Sequence, residues 1–458
     1  MRSYSSFIAD KSKCGGLDGF DPIWMPDCLF DFQEAMTEWS IRKGRSALFE
    51  DCGLGKTIQQ LVWAENVVRK TNKPVLVLTP LAVGPQTVLE AEKFGIESVR
   101  SRDGRLPSGS RIVVTNYQQL HHFNRSDFAG VVCDESSILK NFKGSTKEAV
   151  TEFCRLIPYR LLCTATAAPN DYDELGTSSE ALGELGYQDM ITKFFKQEQK
   201  GGCHGWARSK YRIRGHAEKG FWQWVCSWAR ACRKPSDIGF DDGRFILPEL
   251  VVNVSEVKAL RAAEGRLFDV PAETLDEQRE EQRRTLPERC QRVAELVAKH
   301  DCSVVWCFLN DEGDYLEKII KGSKQISGSD SDESKEETFA AFASGELKRL
   351  VIKPKIGAWG LNWQHCAHQT FFPSHSFEQY YQGVRRCWRF GQNRKVHVDI
   401  VSTEGGDRVL NNLNRKSDAC DRMFENLVAN MNESIRISAG KYGDKKESVP
   451  TWLASTRI

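Results

Sequence analysis

Short β-branched runs alternate with longer amphipathic segments along most of this chain, and that alternation constrains its fold most strongly. Runs of this length, bounded by polar residues or by glycine and proline, are typical of strands buried on both faces. The predicted strands are Pro74–Thr79, Arg111–Thr115, Gly130–Cys133, Arg160–Thr164, Ser303–Phe308, Lys348–Lys353 and Val396–Val401. The predicted helices are Thr57–Lys70, Thr146–Leu156, Arg289–Lys299 and Lys335–Phe342. This order predicts an α/β protein whose parallel sheets are covered by helices.

The length of 458 residues exceeds one ordinary core and predicts two or three domains. We assign residues 1–250 to a first domain and residues 289–440 to a second, joined by a densely charged linker at 251–288. Alternation breaks at about 194–247, where tryptophans are frequent, and we predict a mostly helical insertion that closes the first domain. Residues 441–458 form a polar tail.

The composition is that of a soluble globular protein, with 40% hydrophobic and 28% charged residues. No run of about 18 apolar residues occurs and no secretory signal begins the chain, so we expect no membrane partner. The 15 cysteines then indicate a reducing compartment, and we predict a cytoplasmic protein. A net charge of +2 argues neither for nor against nucleic acid, because a phosphate backbone needs a basic groove and not a basic total.

A glycine-rich turn joins a predicted strand, Ser46–Phe49, to the helix that begins at Thr57. Such a turn directs backbone amides at phosphate oxygens, and the helix N-terminus adds its dipole. Gly53, Leu54 and Gly55 form the turn, Lys56 is expected at the β- and γ-phosphates of a nucleotide, and Thr57 at Mg²⁺. The strict pattern has glycine where this chain has Glu50, so a chance turn at a helix start is the alternative.

Two acids, Asp134 and Glu135, follow an apolar strand. Acids at the carboxyl end of a parallel strand lie at the sheet edge where ligands bind. We expect Asp134 to hold Mg²⁺ and Glu135 to polarise the attacking water. The alternative is an ordinary solvated pair. The hydroxyls of Thr164-Ala165-Thr166, after another strand, are candidates to link these acids to the other domain by hydrogen bonds.

Taken in order, the motifs of the chain resemble the Swi/Snf-like ATPases of the second helicase superfamily, relatives of the DEAD/DEAH-box proteins. The resemblance extends from about Leu29 to Val401. The matching segments are Leu54–Gln59, Thr79–Val83, Thr115–Tyr117, Asp134–Ser137, Thr164–Thr166 with Asn170 and Glu174-Leu175, Arg233–Ile238, Leu247-Pro248, Gly328-Ser329, Lys355–Asn362 and Gln382–Gln392. Each match is weak alone, whereas their order and spacing are specific.

The resemblance implies two RecA-like lobes, with ATP and Mg²⁺ in the cleft between them, and DNA-dependent ATP hydrolysis that drives movement along double-stranded DNA. It implies that Gln33 reads adenine, and that Gln382, Arg386 and Arg389 act from the second lobe. We assign the arginine-finger role to Arg389 and a supporting phosphate or domain contact to Arg386. Sequence-independent phosphate contacts are expected from Thr79, Pro80, Leu81, Asn116, Tyr117, Ser329, Lys355 and Gly357.

Three positions depart from the family pattern: Ser137 replaces a histidine, Ala167 a proline, and Trp388 a histidine. The compact chain looks like phage and bacterial versions of the family, so a bacterial cell, with a phage-encoded protein as one case, is the expected setting. Two alternatives stay open: a helicase that separates DNA or RNA strands, and an ATP-gated DNA clamp that recruits a protein partner of unknown kind.

The tryptophan-rich insertion has two interpretations. Trp206, Trp222, Trp224 and Trp228, with nearby arginines, form either a basic aromatic surface for DNA or the core of a small subdomain, and we favour the core. Its cysteines and histidines lack the paired spacing of a zinc site, which we therefore do not predict.

Overall fold

The computed structural model describes residues 17–198, 210–258, 282–358, 360–374, 376–403 and 407–434. The chain divides into two compact units, one made of residues 1–243 with 419–458 and the other of residues 244–418. Within the described ranges, none of the helices combines the length and the apolar character needed to cross a membrane.

The first unit contains nine strands among its described residues. They are β1 Arg45–Glu50, β2 Val75–Thr79, β3 Ser98–Arg100, β4 Ile112–Asn116, β5 Gly130–Asp134, β6 Tyr159–Thr164, β7 Phe195–Glu198, β8 Lys210–Ile213 and β9 Ala229–Cys232. Its helices are α1 Asp31–Lys43, α2 Lys56–Thr71, α3 Gly84–Lys93, α4 Ser145–Cys154, α5 Leu175–Leu182, α6 Tyr187–Phe194 and α7 Glu218–Trp228.

The main sheet of the first unit has the strand order β3-β4-β2-β5-β6-β1-β9, and each neighbouring pair is parallel. Residues of β2 are all buried, as are those of β5 up to Asp134, because helices cover both faces. The continuous apolar runs therefore mark central strands, as the sequence predicts. Parallel strands place all their carboxyl ends at one edge, where the candidate site is found.

The insertion differs in part from the prediction of a mostly helical segment. Its described residues form one α-helix, α7, an antiparallel hairpin of β7 with β8, and β9, which pairs with β1 and extends the main sheet. Short β-strands of four residues carry little periodicity, so the helical pattern of α7 dominated the sequence signal.

The tryptophans of α7 lie in the core of the first unit, as we favoured. Trp222 and Trp228 are fully buried and pack edge-to-face with Phe221 and Phe49, respectively, and Trp224 is 9% exposed. Trp206, Cys203 and His204 lie outside the described residues. Among the residues that are described, the candidate metal-binding group of histidines and acids lies elsewhere, in the second unit.

The second unit is a parallel sheet with the strand order β10-β15-β14-β11-β13-β12. Its strands are β10 Leu250–Val257, β11 Ser303–Trp306, β12 Ser323–Ile326, β13 Arg349–Ile352, β14 His368–Phe371 and β15 Val396–Thr403. Its helices are α8 Leu286–Val297, α9 Asn310–Ile319, α10 Asp332–Ala343, α11 Pro354–Gly357 and α12 Phe377–Cys387. Trp306, Trp363, Phe342 and Phe371 fill the core on one face of the sheet.

The last helix, α13, spans Asp407–Ser434, and its residues from Ala419 onward group with the first unit. This differs from the sequence-based division, which continues the second domain to residue 440. Met423 and Leu427 are fully buried, and the Cys226 thiol of α7 donates a hydrogen bond to the carbonyl of Leu427 over 3.5 Å. Arg233 forms an ion pair with Asp421 at 2.6 Å. The carboxyl half of α13 is therefore part of the core of the first unit.

Candidate active site

The glycine turn lies between the end of β1 at Glu50 and the start of α2 at Lys56. Gly53 and Gly55 have φ angles of +93° and +82°, a left-handed conformation that glycine adopts without steric cost. A Cβ atom on Gly55 would lie 2.3 Å from the Nε2 atom of Gln33. Both features require glycine, which argues against a chance turn and for a tightly packed loop at a helix N-terminus.

The Lys56 ammonium group is held above this loop by backbone carbonyls. Its Nζ atom donates to the carbonyl oxygens of Glu50 at 2.7 Å and of Asp51 at 2.9 Å. Leu54 is buried, whereas Lys56 and Thr57 are partly exposed at the start of α2. The lysine is thus positioned by the loop itself and remains accessible to a ligand there.

Gln33 of α1 holds the glycine turn by a hydrogen bond to its backbone. Its Nε2 atom donates to the carbonyl of Leu54 over 2.8 Å, and its Oε1 atom accepts from the backbone N–H of Phe30 over 3.1 Å. The side chain is 4% exposed. Both ends of the amide are therefore used within the protein, which makes Gln33 a residue that positions the loop. Its contact with adenine stays a prediction.

Asp134 ends β5, two strands from β1 in the sheet and next to β6. Its Oδ1 atom accepts a hydrogen bond of 2.7 Å from Nε2 of Gln60, which lies one turn into α2. Burial, together with repulsion by Glu135, raises the pKa of Asp134 to about 6. A cation at this position would favour the ionised carboxylate, so the acid is suited to ligate a metal.

Glu135 is one of two residues other than glycine with a positive φ angle in the described chain, at +53°. Its Oε1 atom accepts two hydrogen bonds, one from Thr164 Oγ1 at 2.7 Å and one from Ser137 Oγ at 3.0 Å. A strained backbone held in place by surrounding contacts is typical of functional sites. Thr164 therefore donates to Glu135, and Ser137, where the family that the sequence resembles has a histidine, supplies the second donor. A link from Thr164 to the other domain stays a prediction.

Glu50 is a site residue that the sequence reasoning treated only as a mismatch. Its side chain is fully buried, and burial raises its pKa to about 7. Gln59 Nε2 donates to its Oε2 atom over 2.7 Å. Gln59 and Gln60 thus link α2 to acids on two strands. The sequence signal that could have identified these contacts is a pair of adjacent glutamines, which lie about one turn beyond Lys56 on the same helix.

In the second unit, Gln382 and Arg386 lie one turn apart on α12, and Arg389 follows the helix. Gln382 and Arg386 are 0% and 3% exposed. Arg386 donates from Nη2 to Gln382 Oε1 at 2.9 Å and from Nη1 to the Leu361 carbonyl at 3.2 Å. Arg389 donates to the same carbonyl at 3.2 Å and is more exposed. These contacts support a positioning role for Arg386 and leave Arg389 the better placed to meet a ligand.

Arg385 directly precedes Arg386 in α12, and the sequence analysis does not predict it as a functional residue. It is 4% exposed and lies over the rings of Tyr381 and Trp388. Burial, with repulsion by Arg389 and Arg386, lowers its pKa to about 9. Trp388 donates through Nε1 to the carbonyl of Pro248 at 2.7 Å. The tryptophan that departs from the family pattern therefore packs on a buried arginine.

The predicted nucleic-acid residues divide into buried and exposed groups. Thr79 and Tyr117 are 0% and 6% exposed, and their hydroxyls donate to the carbonyls of Thr115 and Asp134. These two side chains point into the protein, where their hydroxyls are already hydrogen-bonded. The structure therefore does not present them to a nucleic acid. Gly357 is also buried. The exposed or partly exposed members are Pro80, Leu81, Asn116, Ser329 and Lys355.

Among the comparisons with known proteins, only the search of solved structures found similar proteins, and their similarity concerns the fold. No protein-family model matches the sequence, and no curated protein matches it. The SWI2/SNF2 ATPase core of Sulfolobus solfataricus, solved in complex with double-stranded DNA, is 17% identical and covers 93% of this chain and 100% of its own, with a TM-score of 0.44. The helicase Lhr of Mycobacterium smegmatis, solved with single-stranded DNA and AMP-PNP, is 13% identical over 85% of this chain, with a TM-score of 0.51.

This chain spans 48% of the length of the Lhr helicase. At these identities the likeness concerns the fold alone, and the second match carries it. The strand orders of the two units agree with the fold implied by the sequence motifs, since each unit is a parallel sheet with helices around it. The chain therefore has an α/β fold with two RecA-like lobes, each a parallel sheet covered by helices, and this fold is similar to that of the Lhr helicase.

Proposed function

We propose that this protein is an ATP-hydrolysing motor that moves along or remodels double-stranded DNA. The observation that carries the proposal is the arrangement of Asp134 and Glu135 at one sheet edge with the Lys56 loop. Glu135 is oriented there by Thr164 and Ser137. A carboxylate held by two hydroxyl donors in a strained backbone suits a residue that orients a water for attack on a phosphate.

The nucleotide and metal fit the residues present. The amides of Gly53–Thr57 and the ammonium of Lys56 would hold the phosphates, while Thr57 and Asp134 would hold Mg²⁺. The metal supplies charge neutralisation on the phosphate oxygens. The fit rests on Asp134, a partly exposed acid whose charged form is disfavoured by Glu135 and favoured by the Lys56 ammonium. Tyr117 fixes the strand end, because its hydroxyl donates to the Asp134 carbonyl at 2.6 Å.

Two arginines of the second unit have separable roles in this proposal. Arg389 stabilises charge on the transferred phosphoryl group, and Arg386 with Gln382 holds the segment that carries it. Arg389→Ala should lower turnover by ~10³-fold or more with little loss of stability. Arg386→Ala should also lower the urea midpoint of unfolding, because it removes buried hydrogen bonds to Leu361 and Gln382. Equal urea midpoints for the two variants would contradict the positioning role assigned to Arg386.

Nucleic acid enters the proposal through exposed strand-end residues. Pro80 and Leu81 follow β2, Asn116 ends β4, and Ser329 and Lys355 follow β12 and β13. Backbone contacts of this kind are independent of base sequence, so affinity should fall as salt rises. The Lhr helicase was solved with single-stranded DNA, and strand separation on DNA or RNA is the second candidate function.

The test is steady-state ATP hydrolysis with no nucleic acid, single-stranded DNA, double-stranded DNA and RNA. Lys56→Ala and Glu135→Gln should each remove most turnover, while Lys73→Ala, an exposed lysine near the end of the same helix, should not. Stimulation by duplex DNA alone supports the motor. Stimulation chiefly by single strands or RNA supports the helicase. Wild-type turnover in either site variant contradicts the assignment of an ATP-hydrolysing site. Turnover by the wild-type protein far below one per second with saturating DNA favours an ATP-gated clamp.

A further inference from the structure

A group of metal-ligating side chains lies near the amino ends of β11, β14 and β15 in the second unit. It consists of His300, His368 and Asp399, and their ligand atoms all lie within 4.8 Å of one another. The exposed motif residues Ser329 and Lys355 follow the carboxyl ends of their strands. In a parallel sheet those are opposite edges, so the group is separate from the proposed motor chemistry.

The group is built around a buried histidine whose two ring nitrogens have distinct partners. His368 is 1% exposed, with Nε2 3.0 Å from Asp399 Oδ2 and Nδ1 2.8 Å from Ser303 Oγ. The second Asp399 oxygen, Oδ1, accepts from Asn253 Nδ2 over 3.0 Å. Ser303 and Asn253 therefore orient the histidine and the carboxylate from behind, as outer residues do for metal ligands.

His300 completes the group from the segment that precedes β11. Its ring stacks on that of His368, with 3.8 Å between centroids and 9° between planes. Strand register places His397 opposite His368, and the His397 ring centroid is 5.9 Å from that of His300. Three imidazoles are thus concentrated beside one buried carboxylate. A hydrogen bond between His368 and Asp399 does not by itself require the rings of His300 and His397 to lie beside it.

We propose that His300, His368 and Asp399 bind a divalent transition-metal ion, with Zn²⁺ as the best fit. Two imidazole nitrogens and one carboxylate oxygen are ligands that Zn²⁺ takes in a four-coordinate site, with water in the fourth position. Zn–N and Zn–O distances of about 2.0–2.2 Å place tetrahedral ligand pairs ~3.3 Å apart, close to the observed 3.0 Å between His368 Nε2 and Asp399 Oδ2. The ring of His300, which stacks parallel to that of His368, must turn out of the stack for its nitrogen to face the same ion. Two imidazoles select against Mg²⁺ and Ca²⁺, which prefer oxygen.

Binding requires no net proton transfer to solvent from His368. Before the ion binds, the single ring proton lies on Nε2, which donates to the Asp399 carboxylate. On binding it moves to Nδ1, which then donates to Ser303 Oγ, and the Nε2 lone pair faces the ion that replaces the hydrogen bond to Asp399. The carboxylate contributes one oxygen and keeps the other in its hydrogen bond with Asn253. The ion would tie together the amino ends of three neighbouring strands and stabilise the second unit.

The experiment is a titration of the chelator-treated, full-length protein with Co²⁺, followed by displacement with Zn²⁺. One equivalent should bind, with the visible spectrum of nitrogen and oxygen ligation and without an intense near-ultraviolet thiolate band. His300→Phe keeps a stacked ring but removes a ligand atom, so the affinity should fall by at least about 10-fold. The control His121→Phe changes an exposed histidine that also contacts another histidine ring, His122, and should bind Co²⁺ as the wild type does.

Several outcomes would overturn the proposal. They are an absence of stoichiometric binding, equal affinity in His300→Phe, or loss of binding in the His121 control. A strong thiolate band would also overturn it, since Cys302 and Cys366 are hydrogen-bonded to each other at the same end of the sheet. Asp399→Asn is the second variant, and unfolding by urea without metal confirms that each variant is folded before its affinity is read. The result is independent of ATP hydrolysis, so failure of the motor proposal leaves it untouched.

Discussion

At the scale of single residues, the candidate site depends on how its acids are held. Glu135 has a left-handed backbone, and its Oε1 atom receives two hydroxyl hydrogen bonds, from Thr164 and Ser137. Glutamate in this conformation is costly, by about 1–2 kcal/mol, unless its surroundings compensate. Ser137 is therefore more than a missing histidine, because it helps to aim the carboxylate.

Ser137→Ala should lower turnover by about 10-fold to 100-fold, while the KM for ATP changes little, because the hydroxyl orients a catalytic group and not the bound nucleotide. Ser136 provides the matched control. It is also buried, and its Oγ atom makes no hydrogen bond within the described part of the chain. Ser136→Ala should keep wild-type turnover. Similar kinetic effects of the two substitutions would show that Ser137 acts only through packing.

At the scale of elements, the loop between β1 and α2 is defined by two kinds of constraint on Gly55. One is its φ angle of +82°, and the other is the 2.3 Å approach that a Cβ would make to Gln33 Nε2. Gly109 has nearly the same φ angle, +80°, with open space around it. The two glycines therefore separate backbone strain from loop packing.

Gly55→Ala should weaken binding of a fluorescent ATP analogue by at least about 10-fold, because the new methyl group displaces Gln33 and opens the loop. Gly109→Ala carries a similar backbone strain, roughly 1 kcal/mol, and should bind the analogue normally. Fluorescence anisotropy gives the affinity of both. If Gly109→Ala loses as much affinity as Gly55→Ala, the effect comes from general destabilisation.

The carboxyl half of α13 groups with the first unit, which differs from the sequence-based division. Leu427 is fully buried in the first unit, and Leu156, at the end of α4, is 68% exposed. Leu427→Ala should lower the free energy of unfolding of the first unit by about 2–5 kcal/mol, through lost burial and a residual cavity. Leu156→Ala should change it by less than about 0.5 kcal/mol. Urea unfolding followed by tryptophan fluorescence measures both; equal values contradict the assignment of α13.

At the scale of the whole molecule, acids whose pKa is raised in the folded protein link folding to pH. Burial raises the pKa of Glu50 from 4.5 to about 7 and that of Asp134 from 3.8 to about 6. A carboxyl with a raised pKa binds more protons in the folded state than in the unfolded state. Its contribution to stability is full below the unfolded pKa and is lost as pH rises through the folded pKa.

The free energy of unfolding of the nucleotide-free protein should therefore fall by about 1–3 kcal/mol as pH rises from about 4.5 to about 7. Glu50→Gln keeps the shape and removes the titrating proton, so this variant should show a shallower dependence over the same range. Glu152→Gln changes an exposed acid and should reproduce the wild-type slope. Urea unfolding at a series of pH values tests this, and an unchanged slope in Glu50→Gln would contradict it.

Local pattern was sufficient for much of this protein. Apolar runs of strand length, amphipathic helices and the order of the motifs predicted two parallel sheets and the turn at Gly53–Thr57, because these features depend on residues close in sequence. The structure agrees with seven predicted strands to within about two residues at each end. The short strands β3, β7, β8, β9, β12 and β14 were missed, since three or four residues carry too little periodicity. Strand β10 lies mostly in the segment that the sequence analysis assigns to the linker.

The sequence by itself determined the fold class, the glycine turn before α2 and the pair of acids at the end of β5, because backbone conformation and burial pattern depend on neighbouring residues. Tertiary structure alone decided that Gln33 supports the loop, that Thr79 and Tyr117 turn inward, and that His300, His368 and Asp399 meet. These outcomes depend on side chains from distant segments competing for the same space and the same hydrogen bonds. No local pattern records that competition, which packing resolves only when the sheets are assembled.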